Sequence, residues 1–518
     1  MEELKKKTVL YSVPEWAGGA LYYQLVPDRF ARSKNYSVSE TEGRNYKKNW
    51  EDEVSWKPDS NGRFSNNDFY RGNLRGIIEK LSYFKLLGID VIYIQPINFS
   101  LTRYDHYAAT DFMEIDPDLG YFEDLKELHE KCNSVGMHLV LDIAFNHCNI
   151  DNSIYKDAIS NPRSIYKDWF KRDENGNIVF WYNFNDMPEF NLSSKGYQDY
   201  VFGKDGVIAL FSKYVDGFRL DLAENLTPEF IEGIKERANA ETPHLIIGEY
   251  WQNPDPNIVG RCIDAPTSYP LTNAILKGVA YGEFSYLRDL VNEMASKYSA
   301  ENLNAFLVSL DTHDIPRVLT MLGRLDLMRK GVMDIWKIDE YPSPWHKNGT
   351  FDTEGFRKDE LKNEKLSDEQ YKNAKDMLKI AVVIQYFLIG SPCIYYGTEK
   401  GMQGFKDPFN RRPMKWGNDF DRELFDFYVT LGNARNLFNF TNAGAPKIIA
   451  CDSEMFCFAR ENAEGHKVLV IVNRGNNERI IKSILDRWGN QPSSWTLTYN
   501  YDRLRDSVRP NGFLIMIS

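Results

Sequence analysis

The stretches Val215-Asp-Gly-Phe-Arg-Leu-Asp221 and His244-Leu-Ile-Ile-Gly-Glu249 decide the fold. Each is an apolar run closing on a carboxylate, and the amphipathic stretch 228–238 lies between them. Strand, helix, strand implies a parallel pair joined by a right-handed crossover. The same pattern continues in both directions. The stretches 21–26, 91–95 and 138–143 read as earlier strands, and 305–310 and 392–396 as later ones. Helical periodicity fills 74–87, 122–135 and 286–297. About eight strands in this alternation favour an α/β fold of the closed (β/α)8 TIM-barrel kind. An open parallel sheet stays compatible with the pattern alone.

Two stretches break the rhythm. Residues 144–200 are rich in Asn, Asp, Trp and Phe and show no clear helix. They read as a subdomain inserted into the third βα-loop. A charged stretch at about 322–370, including YPSPWHKNGT, reads as a second insertion. Beyond about residue 439, alternating runs such as 467–472 and 512–517 predict a small antiparallel β-sandwich. The expected organisation is therefore a first part of the barrel at 1–143, the inserted subdomain at 144–200, the rest of the barrel at 201–438, and a β domain at 439–518.

A chain of 518 residues exceeds one ordinary core, which agrees with that division. Its net charge of -11 argues against a nucleic-acid partner, whose phosphates need neutralising by Lys and Arg. The six cysteines lack CxxC spacing, so no metal knuckle is expected. The start, MEELKKKTVLYSVPEW, has no apolar signal-peptide core, and the run at 380–389 is too short to span a bilayer. A cytoplasmic protein without a membrane partner is the expectation.

In parallel barrels chemistry sits where strands end. Arg219 and Asp221 are two apart on one strand, so both point to one face, and the guanidinium is expected to depress the carboxylate's pKa. An ordinary structural ion pair fits this segment equally well. Glu249 ends the next strand among Gly and aromatics, where desolvation suits a general acid. Past another strand come His313 and Asp314, a donor and an acceptor for sugar hydroxyls, and the strand at 138–143 leads through Asp142 to His147. Two carboxylates on adjacent strands fit glycoside chemistry. In its retaining form they stand about 5–5.5 Å apart, although sequence leaves the wider, inverting spacing open.

Together these segments resemble the α-amylase family of glycoside hydrolases, family 13, from about residue 21 to 414. The matching blocks are LDIAFNH at 141–147, DGFRLDLA at 216–223, IIGEYW at 246–251 and DTHDIPR at 311–317. The resemblance implies Asp221 as nucleophile, Glu249 as acid/base and Asp314 as transition-state stabiliser. It implies that Arg219, His147 and His313 bind near the reacting sugar, with Tyr107 of HYAATD stacking beneath it. Asp407 and Arg411, in Asp407-Pro-Phe-Asn-Arg411, resemble a pair that binds the next sugar toward the non-reducing end; a surface turn is the alternative reading of that segment.

YYQLVPDRF at 22–30, MPEFN at 187–191 and RRPMKW at 411–416 are similar to the neopullulanase, cyclomaltodextrinase and maltogenic amylase branch. This implies a retaining hydrolase of α-1,4-linked maltodextrins, with α-1,6 links and cyclodextrins as further substrates to test. The inserted stretch and the tail then correspond to the family's B and C domains. About 20 residues precede the first strand, so the branch's N-terminal module and its route to dimers are not expected, and oligomeric state stays open. Glu224-Asn225 stands where the branch typically has Asn-Glu, which leaves acceptor choice open. Calcium-dependent members place a His at the position of Asn225, so calcium finds no support and no cofactor is required. The alternatives are a 4-α-glucanotransferase or glucosyl isomerase on the same scaffold and, from another class, a non-catalytic sugar-binding barrel.

Overall fold

The structure is a computed structural model that describes residues 12–55, 67–325, 365–405, 407–488 and 494–518. Eight short strands form its centre: β1 (Tyr22–Leu25), β2 (Val91–Ile94), β3 (His138–Ile143), β4 (Gly217–Leu220), β5 (Leu245–Gly248), β6 (Ala265–Pro266), β7 (Leu307–Ser309) and β8 (Ser391–Tyr395). They pair in the order β6-β5-β4-β3-β2-β1-β8-β7, and every pairing is parallel. Among the described residues a single bridge between Thr267 and Leu307 joins the two ends, with the Ser268 amide donating to the Leu307 carbonyl at 2.8 Å. The result is a TIM barrel. Nearly every strand residue is buried, as expected when helices cover one face of the sheet and the barrel interior fills the other.

The strands begin and end within two residues of the sequence expectation, and β3 coincides with it. The helix Pro228–Ala238 also matches; Thr227 caps it by accepting from the Phe230 amide, and Pro228 occupies its first turn. The stretch 74–87 divides into two helices, Leu74–Ile78 and Leu81–Leu86. Strand β6 has only two residues, one of them Pro266, and carries none of the apolar alternation that marks the others.

The inserted stretch 144–200 corrects the expectation of no helix. It holds Ser153–Ser160 and the start of Lys195–Phe202, each begun by a side-chain cap from Asn152 or Ser194. Aromatic packing centres it: Phe190 stacks on Tyr197 at 4.0 Å, and Tyr197 stacks on Phe230 of the barrel. Most of the insertion expected at 322–370 lies outside the described residues. Its end does not belong to a loop, because the long helix Asp368–Phe387 begins there with a Ser367/Gln370 capping box. That helix contains most of the apolar run at 380–389, and among the described residues no helix is long and apolar enough to cross a membrane.

The C-terminal strands are β9 (Lys447–Cys451), β10 (Met455–Glu461), β11 (Lys467–Asn473), β12 (Arg479–Ile480), β13 (Trp495–Asp502) and β14 (Ser507–Ile517). They form one antiparallel sheet, ordered β9-β10-β11-β14-β12 with β13 on β14. One face, with Phe456, Phe458, Val470 and Ile515, shares the barrel's core. The second layer is a helix, Lys482–Trp488, whose Ile484 packs with Cys457, Leu469 and Ile471 on the opposite face.

Candidate active site

The C-terminal ends of β3, β4 and β5 bring together one guanidinium and three carboxylates. Parallel register sets Asp142 beside Arg219, and Asp221 and Glu249 follow β4 and β5 directly. Arg219 Nη1 lies 2.9 Å from Asp142 Oδ1 and 2.9 Å from Asp221 Oδ1, while Nη2 lies 2.9 Å from Glu249 Oε1. The second oxygen of Glu249 accepts from the Leu222 amide at 2.8 Å. Leu222 takes left-handed backbone angles (φ +48°, ψ +41°), a conformation costly for a side chain with a Cβ and typical of sites that over-determine their geometry. The phenols of Tyr93 and Tyr107 donate to Asp142 Oδ2 at 2.6 and 2.7 Å.

Asp221 is 8% exposed and Glu249 3%, so water contributes little screening. Burial pushes the Asp221 carboxyl well above the ordinary range, and the charge of Glu249 adds to the rise, while Arg219 opposes both. This corrects the expectation of a depressed Asp221. The guanidinium is divided among three carboxylates, and its attraction for one of them does not offset lost hydration. Asp314 is likewise pushed up to about 7 by burial and by Glu249, against Arg411 and Arg219. These carboxyls form an interacting set whose titration steps belong to the group.

A second wing comes from the segment after β7. His313 Nε2 lies 3.3 Å from Asp314 Oδ2, and its ring stacks on Tyr107 at 5.2 Å with 3° between planes. Arg411 lies 3.6 Å from Asp314 Oδ1, 3.6 Å from Asp407 Oδ1 and 3.7 Å from Asp105 Oδ2. Tyr104 Oη donates to Asp407 Oδ1 at 3.2 Å. The segment 407–411 is thus part of this wing and not a surface turn, since Phe409, Asn410 and Arg411 are buried. His147 sits deeper, its ring stacked on Trp181 at 5.0 Å and its pKa pushed down to about 3 by burial and then by the charge of Arg103. Neither of its ring nitrogens has a hydrogen-bond partner among the described residues.

Every residue singled out from the sequence reaches this region: Arg219, Asp221 and Glu249 in the first wing, His313, Asp314, Asp407 and Arg411 in the second, Tyr107 between them, and His147 within reach of the charges of Arg103 and Asp105. Sequence reasoning gave Asp142 no role and passed over Asp105 and one aromatic stack. Asp142 was legible from its period-two place on β3, facing Arg219. Asp105, two residues before Tyr107, offered only its charge as a signal. The Trp251–Tyr269 stack, at 4.2 Å and 7°, joins residues after β5 to the helix after β6, and nothing local announced it.

Among the described residues no group of three or more His, Cys, Asp or Glu is arranged to hold a metal ion.

Residues 24–338 match the family described as alpha amylase, catalytic domain. Among curated relatives, a cyclomaltodextrinase of Geobacillus thermopakistaniensis (strain MAS1) is 28% identical over 98% of this chain and 78% of its own length. An intracellular maltogenic amylase of Bacillus subtilis (strain 168) is 27% identical over 98% of this chain and 77% of its own. Among solved structures, the ligand-free cyclic alpha-maltosyl-(1-->6)-maltose hydrolase of Arthrobacter globiformis aligns with a TM-score of 0.74 and 22% identity, covering 98% of this chain and all of that one. That last likeness is one of fold.

Proposed function

Since the chain belongs to the alpha-amylase family of glycoside hydrolases, we propose that it cleaves α-1,4 bonds of maltodextrins with retention of anomeric configuration. Asp221 attacks the anomeric carbon while Glu249 gives its proton to the departing glycosidic oxygen. A glycosyl ester on Asp221 results. Glu249, now a carboxylate, takes a proton from water, and the resulting hydroxide equivalent displaces Asp221 from the sugar. Asp314 accepts hydrogen bonds from hydroxyls of the reacting sugar that strengthen in the transition state. Tyr107 stacks beneath that ring, Arg219 holds the two reacting carboxyls, and His147 and His313 bind its hydroxyls. Asp407 and Arg411 hold the next sugar toward the non-reducing end.

The observation that carries this reading is the Arg219 fork, which holds Asp221 and Glu249 from adjacent strands at 2.9 Å each. One cation anchoring both acids aims them at a common point. Arg219 and Arg411 supply positive charge beside the carboxyls, and the proposed reaction includes no metal or cofactor. Cyclic maltodextrins belong to the proposed substrate range because several relatives carry the name cyclomaltodextrinase.

The deciding experiment follows maltodextrin hydrolysis by proton NMR from the first seconds. Retention gives the α-anomer of the new reducing end first, with the β-anomer appearing at the rate of mutarotation. A β-anomer formed first overturns the double displacement. Products longer than the substrate, building up early from maltotriose, would mean that a sugar and not water intercepts the ester.

A further inference from the structure

We propose that Gln24 is a positioning residue that holds His313 in the tautomer with its proton on Nε2, the ring nitrogen that lies beside Asp314 and the sugar it would bind. The functional part of this inference rests on the reading of His313 and Asp314 as sugar-binding groups; the tautomer itself does not.

The imidazole is fixed on several sides. One face lies parallel to Tyr107. The His313 main-chain carbonyl accepts from Asn410 Nδ2 at 2.7 Å and Arg411 Nε at 3.0 Å, which sets the backbone that carries the ring. Nε2 faces Asp314 Oδ2 at 3.3 Å. The remaining nitrogen, Nδ1, meets the side-chain amide nitrogen of Gln24 at 3.2 Å. Gln24 and His313 are 289 residues apart in sequence, yet β1 pairs with β8 and β8 with β7, which leads directly to His313. Both side chains are buried, Gln24 at 2% and His313 at 3% exposure.

Burial, and then the guanidiniums of Arg411 and Arg219, keep this imidazole neutral. A neutral imidazole has one N–H and one lone pair. An ionised Asp314 only accepts, so the proton belongs on Nε2 and the lone pair on Nδ1. That lone pair requires a donor in a place without water, and the Gln24 amide supplies one. The opposite arrangement needs a protonated Asp314 and a Gln24 amide turned so that its oxygen accepts from Nδ1–H.

The test uses the full chain labelled with 15N-histidine, with long-range proton–nitrogen correlation at pH 8 and the His313 signal assigned by its loss in His313→Asn. Wild-type protein is expected to show the Nε2–H pattern. Gln24→Met removes the donor at similar volume and is expected to populate the Nδ1–H form. It should lower kcat on maltotriose about tenfold with little change in KM. Gln24→Glu, which can only accept, is expected to place a proton on Nδ1. An Nδ1–H signal in the wild type overturns the proposal, as does a tautomer unchanged in both variants. The wild-type spectrum decides even if Gln24→Met fails to fold. A chain that hydrolyses no α-glucan yet shows the Nε2–H pattern would overturn the functional reading and leave the tautomer assignment standing.

Discussion

Asp221 illustrates how burial and charge compete at one residue. Its raised pKa sets the sign of two effects. As the proposed nucleophile, Asp221 must be ionised, so kcat/KM should fall on the acid side through a value above the ordinary carboxylate pKa of about 4. A pH–rate profile whose acid limb sits at that ordinary value would contradict the electrostatics described above. The same shift works on stability. Below the unfolded-state pKa the carboxyl is neutral in both states, whereas above it the unfolded chain ionises freely and the folded chain does so against its environment. Wild-type stability from this group is therefore lost as pH rises. Asp221→Asn should lower turnover about 10^4-fold and raise the apparent Tm by about 2 °C at pH 8. That gain should shrink toward pH 4 in differential scanning fluorimetry.

At the scale of elements, β4 and β5 must lie close enough for their ends to share Arg219. Gly217 allows this: a Cβ there would stand 2.6 Å from the Leu245 carbonyl oxygen, a backbone atom that cannot swing aside. Gly217→Ala should cost about 1–3 kcal/mol, read as a lower urea midpoint, and reduce kcat by spreading Asp221 from Glu249. An unchanged midpoint would show that the strands separate without cost. Elements of this kind were legible where physics writes them locally. β3 and β4 are apolar runs closing on charge, and Pro228–Ala238 carries its cap, its proline and its amphipathic spacing. β6 was not legible, because Ala265 and Pro266 acquire strand geometry only from β5 beside them. The helices of the inserted stretch were announced by Asn152 and Ser194, but eight residues of mixed polarity give too short a period to stand out. At the site, the Arg219–Asp221 spacing was readable and its electrostatic outcome was not, since that depends on how many carboxylates share the cation.

For the molecule as a whole, the C-terminal sheet completes the barrel's packing. Tyr499 Oη donates to Asp376 Oδ1 at 3.1 Å, and Lys379 Nζ lies 4.3 Å from the Tyr499 ring centre, both on the helix Asp368–Phe387. Arg435 lies over the Phe440 ring at 3.8 Å and donates to the Gly19 carbonyl, fastening the start of the tail to the barrel's lower end. Deleting 440–518 would expose the apolar positions of that long helix to water. The shortened chain should appear in the insoluble fraction; soluble, active protein from such a deletion would mean the sheet is dispensable to the barrel.

The lone Thr267–Leu307 bridge has a consequence in time as well as in shape. Strands β1 and β2 pair over four residues, whereas among the described residues one bridge closes the cylinder, beside the acids proposed to react. In heavy water the Ser268 amide, which donates across this join, should acquire deuterium sooner than the Glu249 amide, which donates to the Leu220 carbonyl at 3.0 Å on the opposite side of β5. Equal protection of the two would mean that the cylinder breathes nowhere in particular.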